Sequence, residues 1–149
     1  MTAPIDAVTW VAAFDGGKAL IWRNEGFDDQ PNLKLLESFG VENLPDRDLS
    51  DDRPGRMADP AGGLSGVEQT DRHDQVETRF IETFIHRLNA SAAGADFDRI
   101  LVFAPPAALG TARGHYTDAL KASLTEVPVD VVNEPMEKID ARVAEALAG

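Results

Sequence analysis

The sequence predicts an α/β protein of one domain, built on a mixed sheet with the element order β-β-β-α-β-α-β-α. Two apolar runs, residues 8–14 and 18–24, flank the turn Asp15-Gly16-Gly17, and glycine-rich turns of this kind join antiparallel strands. Further along, the apolar run 99–103 is followed by the proline pair 105–106. Because proline has a helical φ and lacks the N–H that a first helical turn leaves unbonded, this pair predicts a strand that leads directly into a helix.

The next strand and helix are predicted from apolar periodicity. Residues 33–41 alternate weakly and predict a third strand that continues the antiparallel pair. Asp74 and Glu77 resemble a capping box, and apolar side chains recur at helical spacing after them, which predicts a helix ending near residues 93–94. Antiparallel strands followed by alternating helices and strands indicate that the last strands are parallel, with right-handed crossovers.

The C-terminal third continues this alternation. We expect a helix from Pro105 to about residue 124, a short strand of β-branched residues at 127–132, and a final helix opened by Pro135. The length of 149 residues suffices for one sizeable core and is short for two, so we expect a single domain over residues 1–149.

Composition excludes several classes of function. The chain has no cysteine, which removes disulfides, thiolate nucleophiles and zinc–thiolate sites and fits a reducing compartment. Its formal net charge of -12 opposes broad contact with a polyphosphate backbone, so no DNA partner is expected. The longest apolar runs are strand-sized and residues 1–7 lack a basic start, so we expect no membrane insertion, no secretion and a cytoplasmic location.

A long acidic loop is predicted at about residues 42–72, where Pro, Gly, Asp and Arg replace the periodic pattern. Loops of this length inside a compact domain are usually functional or disordered, and disorder is the simpler interpretation. Within it, Arg53 and Arg56 flank a Pro-Gly turn. Their guanidinium groups have the bidentate geometry to clamp a phosphate or carboxylate, whereas the neighbouring aspartates offer them ion pairs instead.

Few residues outside this loop offer chemistry. Asp15 and Asp98 are carboxylates at strand ends and suggest a two-metal nuclease, but Asp15 is explained more simply as a turn former. His73 lies among acidic residues near the predicted helix start, yet no other histidine stands at a metal-ligand spacing, so we expect no metal and no cofactor. Arg113 lies on the helix after the proline pair, and open α/β sheets bind ligands where such helices begin.

Four segments, taken in order over almost the whole chain, carry a resemblance to a known family. They are residues 10–24, Arg53-Pro54-Gly55-Arg56, Thr70-Asp71-Arg72-His73, and Ala104-Pro105-Pro106 with Leu109-Gly110 and Arg113. The segments resemble those of the bacterial host-attachment family, which is named for a role in the attachment of bacteria to host cells. The resemblance implies a ribonuclease H-like domain related to bacterial relatives of peptide release factors. The chain departs from the family at residues 133–136, where members carry a Lys-Asp-Leu-Thr-like stretch.

Release factors hold a Gly-Gly-Gln loop between the third strand and the following helix, and the resemblance implies a counterpart here. Gly62 and Gly63 stand in the corresponding loop, but Leu64 occupies the place of the glutamine and Gln69 lies several residues further on. The implied activity is hydrolysis of peptidyl-tRNA in ribosome rescue, with Gly62, Gly63 and Gln69 as catalytic candidates. A leucine does not position water, which argues against this activity.

From these observations we expect a host-attachment family protein that acts as a binding or regulatory module without catalysis of its own. The expected partner is a protein that the sequence does not identify, and association with the ribosome is implied by the resemblance alone. Two alternatives stay open, a release-factor-like hydrolase and a ribonuclease H-like nuclease. A homodimer is a plausible further arrangement, because the edge strands of an open sheet need covering.

Overall fold

The computed structural model describes residues 7–41 and 66–148, with side chains of the first helix from residue 75 onward. Its strands are β1 (Thr9–Phe14), β2 (Lys18–Asn24), β3 (Leu33–Gly40), β4 (Arg99–Phe103) and β5 (Leu124–Val127). Its helices are α1 (Gly66–Ala93), α2 (Pro106–Arg113), α3 (Asp118–Ser123) and α4 (Met136–Ala148).

The strands of the described residues form one mixed sheet in the order β3-β2-β1-β4-β5. β1, β2 and β3 pair antiparallel, whereas β4 runs parallel to both β1 and β5. The predicted α/β class, the first hairpin and the buried fourth strand are therefore confirmed. β1 lies at the centre and all six of its residues are buried, because helices cover both faces of the sheet.

Alternation along the central strands divides the interior into two cores. On one face, Phe14 of β1 packs with Phe80 and Phe84 of α1 and with Leu109 of α2. On the other face, α4 is the covering helix. The buried apolar residues of this second core are Val11, Ala13, Trp22, Leu101, Phe103, Val131, Val132, Ile139 and Val143. The first face therefore carries α1, α2 and α3, and the second carries α4.

The predicted start of the first helix is wrong. α1 is already helical at Gly66, so the presumed capping box at Asp74 and Glu77 lies inside the helix, and the predicted loop 42–72 ends before residue 66. Residues 66–73 contain no proline and several good helix formers, so the helix that packs from Phe80 onward extends through them.

The predicted helix from Pro105 to residue 124 is two helices. α2 ends at Arg113 with Gly114 as its C-cap, and α3 begins after the N-cap Thr117, whose side chain accepts a hydrogen bond from the Leu120 N–H. In the sequence, the glycine indicates the end of one helix, and the threonine three residues later indicates the start of the next. The observed order is therefore β-β-β-α-β-α-α-β-α.

The predicted last strand is placed too late in the sequence. β5 ends at Val127 because Pro128 lacks the N–H that a continuing strand would need. Val131 and Val132, predicted as strand residues, are buried in the second core as part of the connection to α4. Their apolar character reflects burial rather than strand pairing.

Candidate functional site

A groove of about 290 Å³ lies where β1 and β4 end at their carboxyl termini. We call it the carboxyl-edge groove. Gly16 of the first hairpin lines one side, and Glu77 and Thr78 of α1 line another. The third side is lined at the start of α2 by Pro105, Ala107, Ala108 and Thr111. Open α/β sheets commonly bind ligands outside the carboxyl ends of their strands, so this is the candidate functional site.

The hairpin wall of the groove is held by Asp15. Its Oδ1 accepts hydrogen bonds from the Gly17 N–H at 2.9 Å and the Lys18 N–H at 2.8 Å, and its own N–H donates to the Lys18 carbonyl at 2.9 Å. These bonds are those of a turn former. A Cβ added at Gly16 would lie 2.9 Å from Cγ of Glu77, so α1 packs directly against the turn.

The opposite wall is the N-terminus of α2. Pro105 and Pro106 carry no N–H, and the first intrahelical bond runs from the Leu109 N–H to the Pro105 carbonyl at 3.0 Å. The N–H groups of Ala107 and Ala108 are therefore the first backbone donors of the helix, and among the described residues no side chain caps them. Both residues line the groove, which supplies hydrogen-bond donors to an acceptor bound there.

The rest of the lining combines apolar contact with a few polar groups. Ile81, Ala108 and Pro105 supply apolar surface, and Thr78 and Thr111 supply hydroxyls. The Thr111 hydroxyl lies 3.5 Å from the Ala107 carbonyl, at the limit of a hydrogen bond. This arrangement suits a small apolar group attached to a polar backbone.

The two carboxylates that suggested a nuclease lie at opposite edges of the sheet. Asp15 follows the carboxyl end of β1, whereas Asp98 precedes the amino end of the parallel strand β4. The Oδ2 of Asp98 accepts a hydrogen bond from the Val8 N–H at 2.6 Å. A five-residue strand separates the two edges by about 16 Å, whereas two-metal sites hold their ions within about 4 Å. Among the side chains described, those of residues 7–41 and 75–148, no group of three or more carboxylates and histidines is arranged to hold a metal ion.

Arg113 is engaged by a carboxylate next to the groove rather than inside it. Its Nη2 donates to Oε1 of Glu126 at 2.6 Å and its Nε to the same carboxylate at 3.1 Å, while the Tyr116 hydroxyl donates to Oε2 at 2.7 Å. The bonds from Arg113 lower the pKa of Glu126, although burial opposes them, and burial raises the pKa of Tyr116. These three side chains tie α2 to β5.

Because the folded state holds Glu126 ionised, its stabilising effect is present above the ordinary glutamate pKa of 4.5 and is lost as the pH falls through the lowered value. We expect Glu126→Gln to lower Tm at neutral pH, and we expect the difference from the wild type to shrink below pH 4.5. Thermal unfolding followed by circular dichroism from pH 7 to pH 3 measures this difference. A difference that stays constant over the whole range would contradict the ion pair.

The remaining predicted site residues have no described side chains. Gln69 and His73 belong to α1, before its described side chains begin. Arg53, Arg56, Gly62 and Gly63 lie outside the described residues. Sequence reasoning does not find Glu77, Thr78 and Thr111, which do line the groove, because the groove forms only when α1 and α2 pack at the sheet edge.

Two histidines that are far apart in the sequence are neighbours in the structure. The rings of His86 and His115 are 5.9 Å apart and nearly perpendicular, and Nε2 of His115 lies 3.4 Å from Glu82. Asn89 holds this region together by donating to the His115 carbonyl at 2.8 Å and accepting from the Thr117 N–H at 3.1 Å. The cluster therefore fastens the connection between α2 and α3 to α1.

The fold and the groove define a mixed α/β domain with a candidate ligand site at the carboxyl edge of its sheet. Among the described helices, none combines the length and apolar character that crossing a membrane requires. The family of proteins required for attachment to host cells matches residues 10–143, and the chain belongs to this family. No curated protein matches the sequence.

Proposed function

We propose that this host-attachment family member is a cytoplasmic protein-binding module, which takes a short segment of a partner protein into the carboxyl-edge groove without catalysing a reaction on it. The observation that carries the proposal is the pairing of an apolar lining with the N–H groups of Ala107 and Ala108, which no described side chain caps. A peptide offers the complement, because each residue presents a side chain and a carbonyl acceptor together.

The size of the groove favours this class of ligand. Small-molecule sites usually enclose about 300–1,000 Å³, and the groove lies at the bottom of that range. It accommodates one or two side chains of a segment that continues across the surface. The net charge of -12 favours a neutral or basic partner over a polyphosphate.

The geometry of the described residues supports a binding module over a two-metal nuclease, since Asp15 and Asp98 stand at opposite sheet edges and both bond to backbone. The ribonuclease H-like assignment and the kinship to release factors remain part of the proposal. The sheet order, with an antiparallel meander at one side and parallel strands at the other, supports the first of them. Association with the ribosome would follow only from the second.

A library of displayed random peptides tests the groove while the partner is still unidentified. Peptides enriched on the wild-type protein are expected to bind Ala107→Trp at least about tenfold more weakly, because an indole would fill the groove. Ala107 is exposed, so the substitution spares the core. Ala141→Trp, exposed on α4, is the matched control and should bind as the wild type does. Peptides that bind both variants equally would contradict the groove as the site.

Catalysis is tested on the same purified protein. Hydrolysis of peptidyl-tRNA that disappears in Gly63→Ala would replace the binding module with a release-factor-like hydrolase. Metal-dependent cleavage of RNA that disappears in Asp15→Asn would replace it with a nuclease. We expect neither activity.

A further inference from the structure

Among the described residues, β3 is the last strand at one side of the sheet. β3 has eight residues, more than any other described strand, and in the part of the chain that the structure describes no strand pairs with its outer side. Such an edge presents backbone N–H and C=O groups that another strand can pair with. Two leucines stand at its middle, Leu35 at 52% and Leu36 at 41% exposure.

β3 contains one residue more than the stretch of β2 that it pairs with, and this β-bulge changes which of its side chains lie on the same face of the sheet. Trp22 of β2 lies opposite Leu35 and Ile21 lies opposite Glu37, so Leu36 has no partner of its own across the pair. Lys34 and Glu37 are three residues apart and would face opposite ways in a regular strand. The additional residue places both on the face that carries α1.

The contacts of Glu37 and Lys34 agree with this placement. The carboxylate of Glu37 accepts hydrogen bonds from Nε and Nη2 of Arg87, a residue of α1, at 2.9 and 3.1 Å. Lys34 lies opposite Arg23, two residues along β2 from Ile21, which belongs to the α1-side core. The middle of the edge is therefore an exposed leucine pair, flanked by a cation on one side and a carboxylate on the other.

We propose that two copies of this chain pair through β3, antiparallel, about a two-fold axis that passes between Leu35 and Leu36. In this register Lys34 of one copy lies opposite Glu37 of the second copy, and the symmetry repeats the contact. The leucines meet at the centre of the interface. Two five-stranded sheets become one continuous sheet of ten strands.

Charge complementarity favours a second copy of this chain, rather than an unrelated strand, as the partner of β3. A lysine on an edge strand disfavours pairing with most strands, because its charge needs an opposite charge across the ladder. The second copy supplies that charge on the same face. Arg87 holds the Glu37 carboxylate in place with two bonds, and a carboxylate has acceptor sites left for an ammonium group. The interface uses no residue of the carboxyl-edge groove, so the test of the dimer is independent of the test of the proposed function.

Sedimentation velocity over a range of concentrations tests the dimer. We expect the wild type to be dimeric at micromolar concentration and Lys34→Glu to raise the dissociation constant at least tenfold, because it sets two carboxylates opposite each other. Lys121→Glu makes the same change in net charge at an exposed position of α3 and should leave the dissociation constant unchanged. A monomeric wild type, or a dimer that both variants affect equally, would overturn the proposal.

Cysteine cross-linking tests the register, since the wild-type chain contains no cysteine. In the double variant Lys34→Cys, Glu37→Cys, each cysteine faces its counterpart across the two-fold axis, within about 5 Å between Cβ atoms. Within one chain the additional residue places the two positions about 7 Å apart, so an intrachain disulfide can compete, and a non-reducing gel separates it from the covalent dimer by size. We expect oxidation to yield a covalent dimer from the double variant and little from either single variant. Equal yields from the single and double variants would overturn the register.

Discussion

Replacing Phe84 by alanine should lower the free energy of unfolding by about 3–5 kcal/mol, a large part of the stability of a domain of this size. The side chain is fully buried, at 0% exposure. Its ring centroid lies 5.5 Å from that of Phe14 and 5.8 Å from that of Phe39. Because it joins α1 to both a central and an edge strand, its removal leaves a cavity that no single movement closes.

Urea denaturation followed by tryptophan fluorescence measures this loss as a shift of the midpoint at unchanged slope. Phe27→Ala is the matched control, because Phe27 is 72% exposed in the connection between β2 and β3. We expect it to change the free energy of unfolding by less than about 0.5 kcal/mol. A loss in the free energy of unfolding for Phe84→Ala no larger than that for the control would contradict the packing of α1 against the sheet.

The first hairpin and β4 are predicted correctly because a local turn signal adjoins each of them. The β1–β2 hairpin has its Asp-Gly-Gly turn, and β4 has the proline pair directly after it. In each case the turn chemistry and the apolar pattern agree, so the prediction does not depend on the rest of the molecule.

The errors at β5 and at the start of α1 have a common origin in tertiary packing. β-Branched residues favour strands, which predicts Val131 and Val132 as strand residues, but they fill the core beneath α4 from a loop. The apolar pattern begins just after Asp74, which predicts the helix start there, yet α1 is helical from Gly66 onward. Apolar periodicity marks the buried part of an element, which need not be its whole length.

The carboxyl-edge groove is likewise predicted only in part from the sequence. Pro105 lines the groove, and Asp15 directly precedes Gly16, which also lines it, so the rule that ligands bind at the carboxyl ends of strands finds these two walls. Glu77 and Thr78 come from a helix and follow the hairpin by about sixty residues, and no local pattern indicates that α1 reaches the turn. Their role depends on the close approach of α1 to Gly16.

The turn between β2 and β3 has a backbone spacing that only glycine permits at position 26. A Cβ there would overlap the Gln30 carbonyl oxygen and lie 2.8 Å from the Asn32 nitrogen. Both atoms are engaged, since the Gln30 carbonyl accepts from the Phe27 N–H at 3.0 Å and the Asn32 N–H donates to Oδ1 of Asn24 at 2.9 Å. The backbone can therefore move away from an added Cβ only if these hydrogen bonds, which hold the turn together, are broken.

We expect Gly26→Ala to lower the free energy of unfolding by about 2–3 kcal/mol, from the overlap together with weakened turn hydrogen bonds. Gly110→Ala is the control, because Gly110 lies within α2 and a Cβ there meets nothing within 4 Å. Alanine should stabilise that helix by about 0.5–1 kcal/mol. Urea midpoints that move in opposite directions would show that the close approach at residue 26, and not the loss of a glycine, causes the destabilisation. Equal shifts in the two variants would contradict the turn geometry.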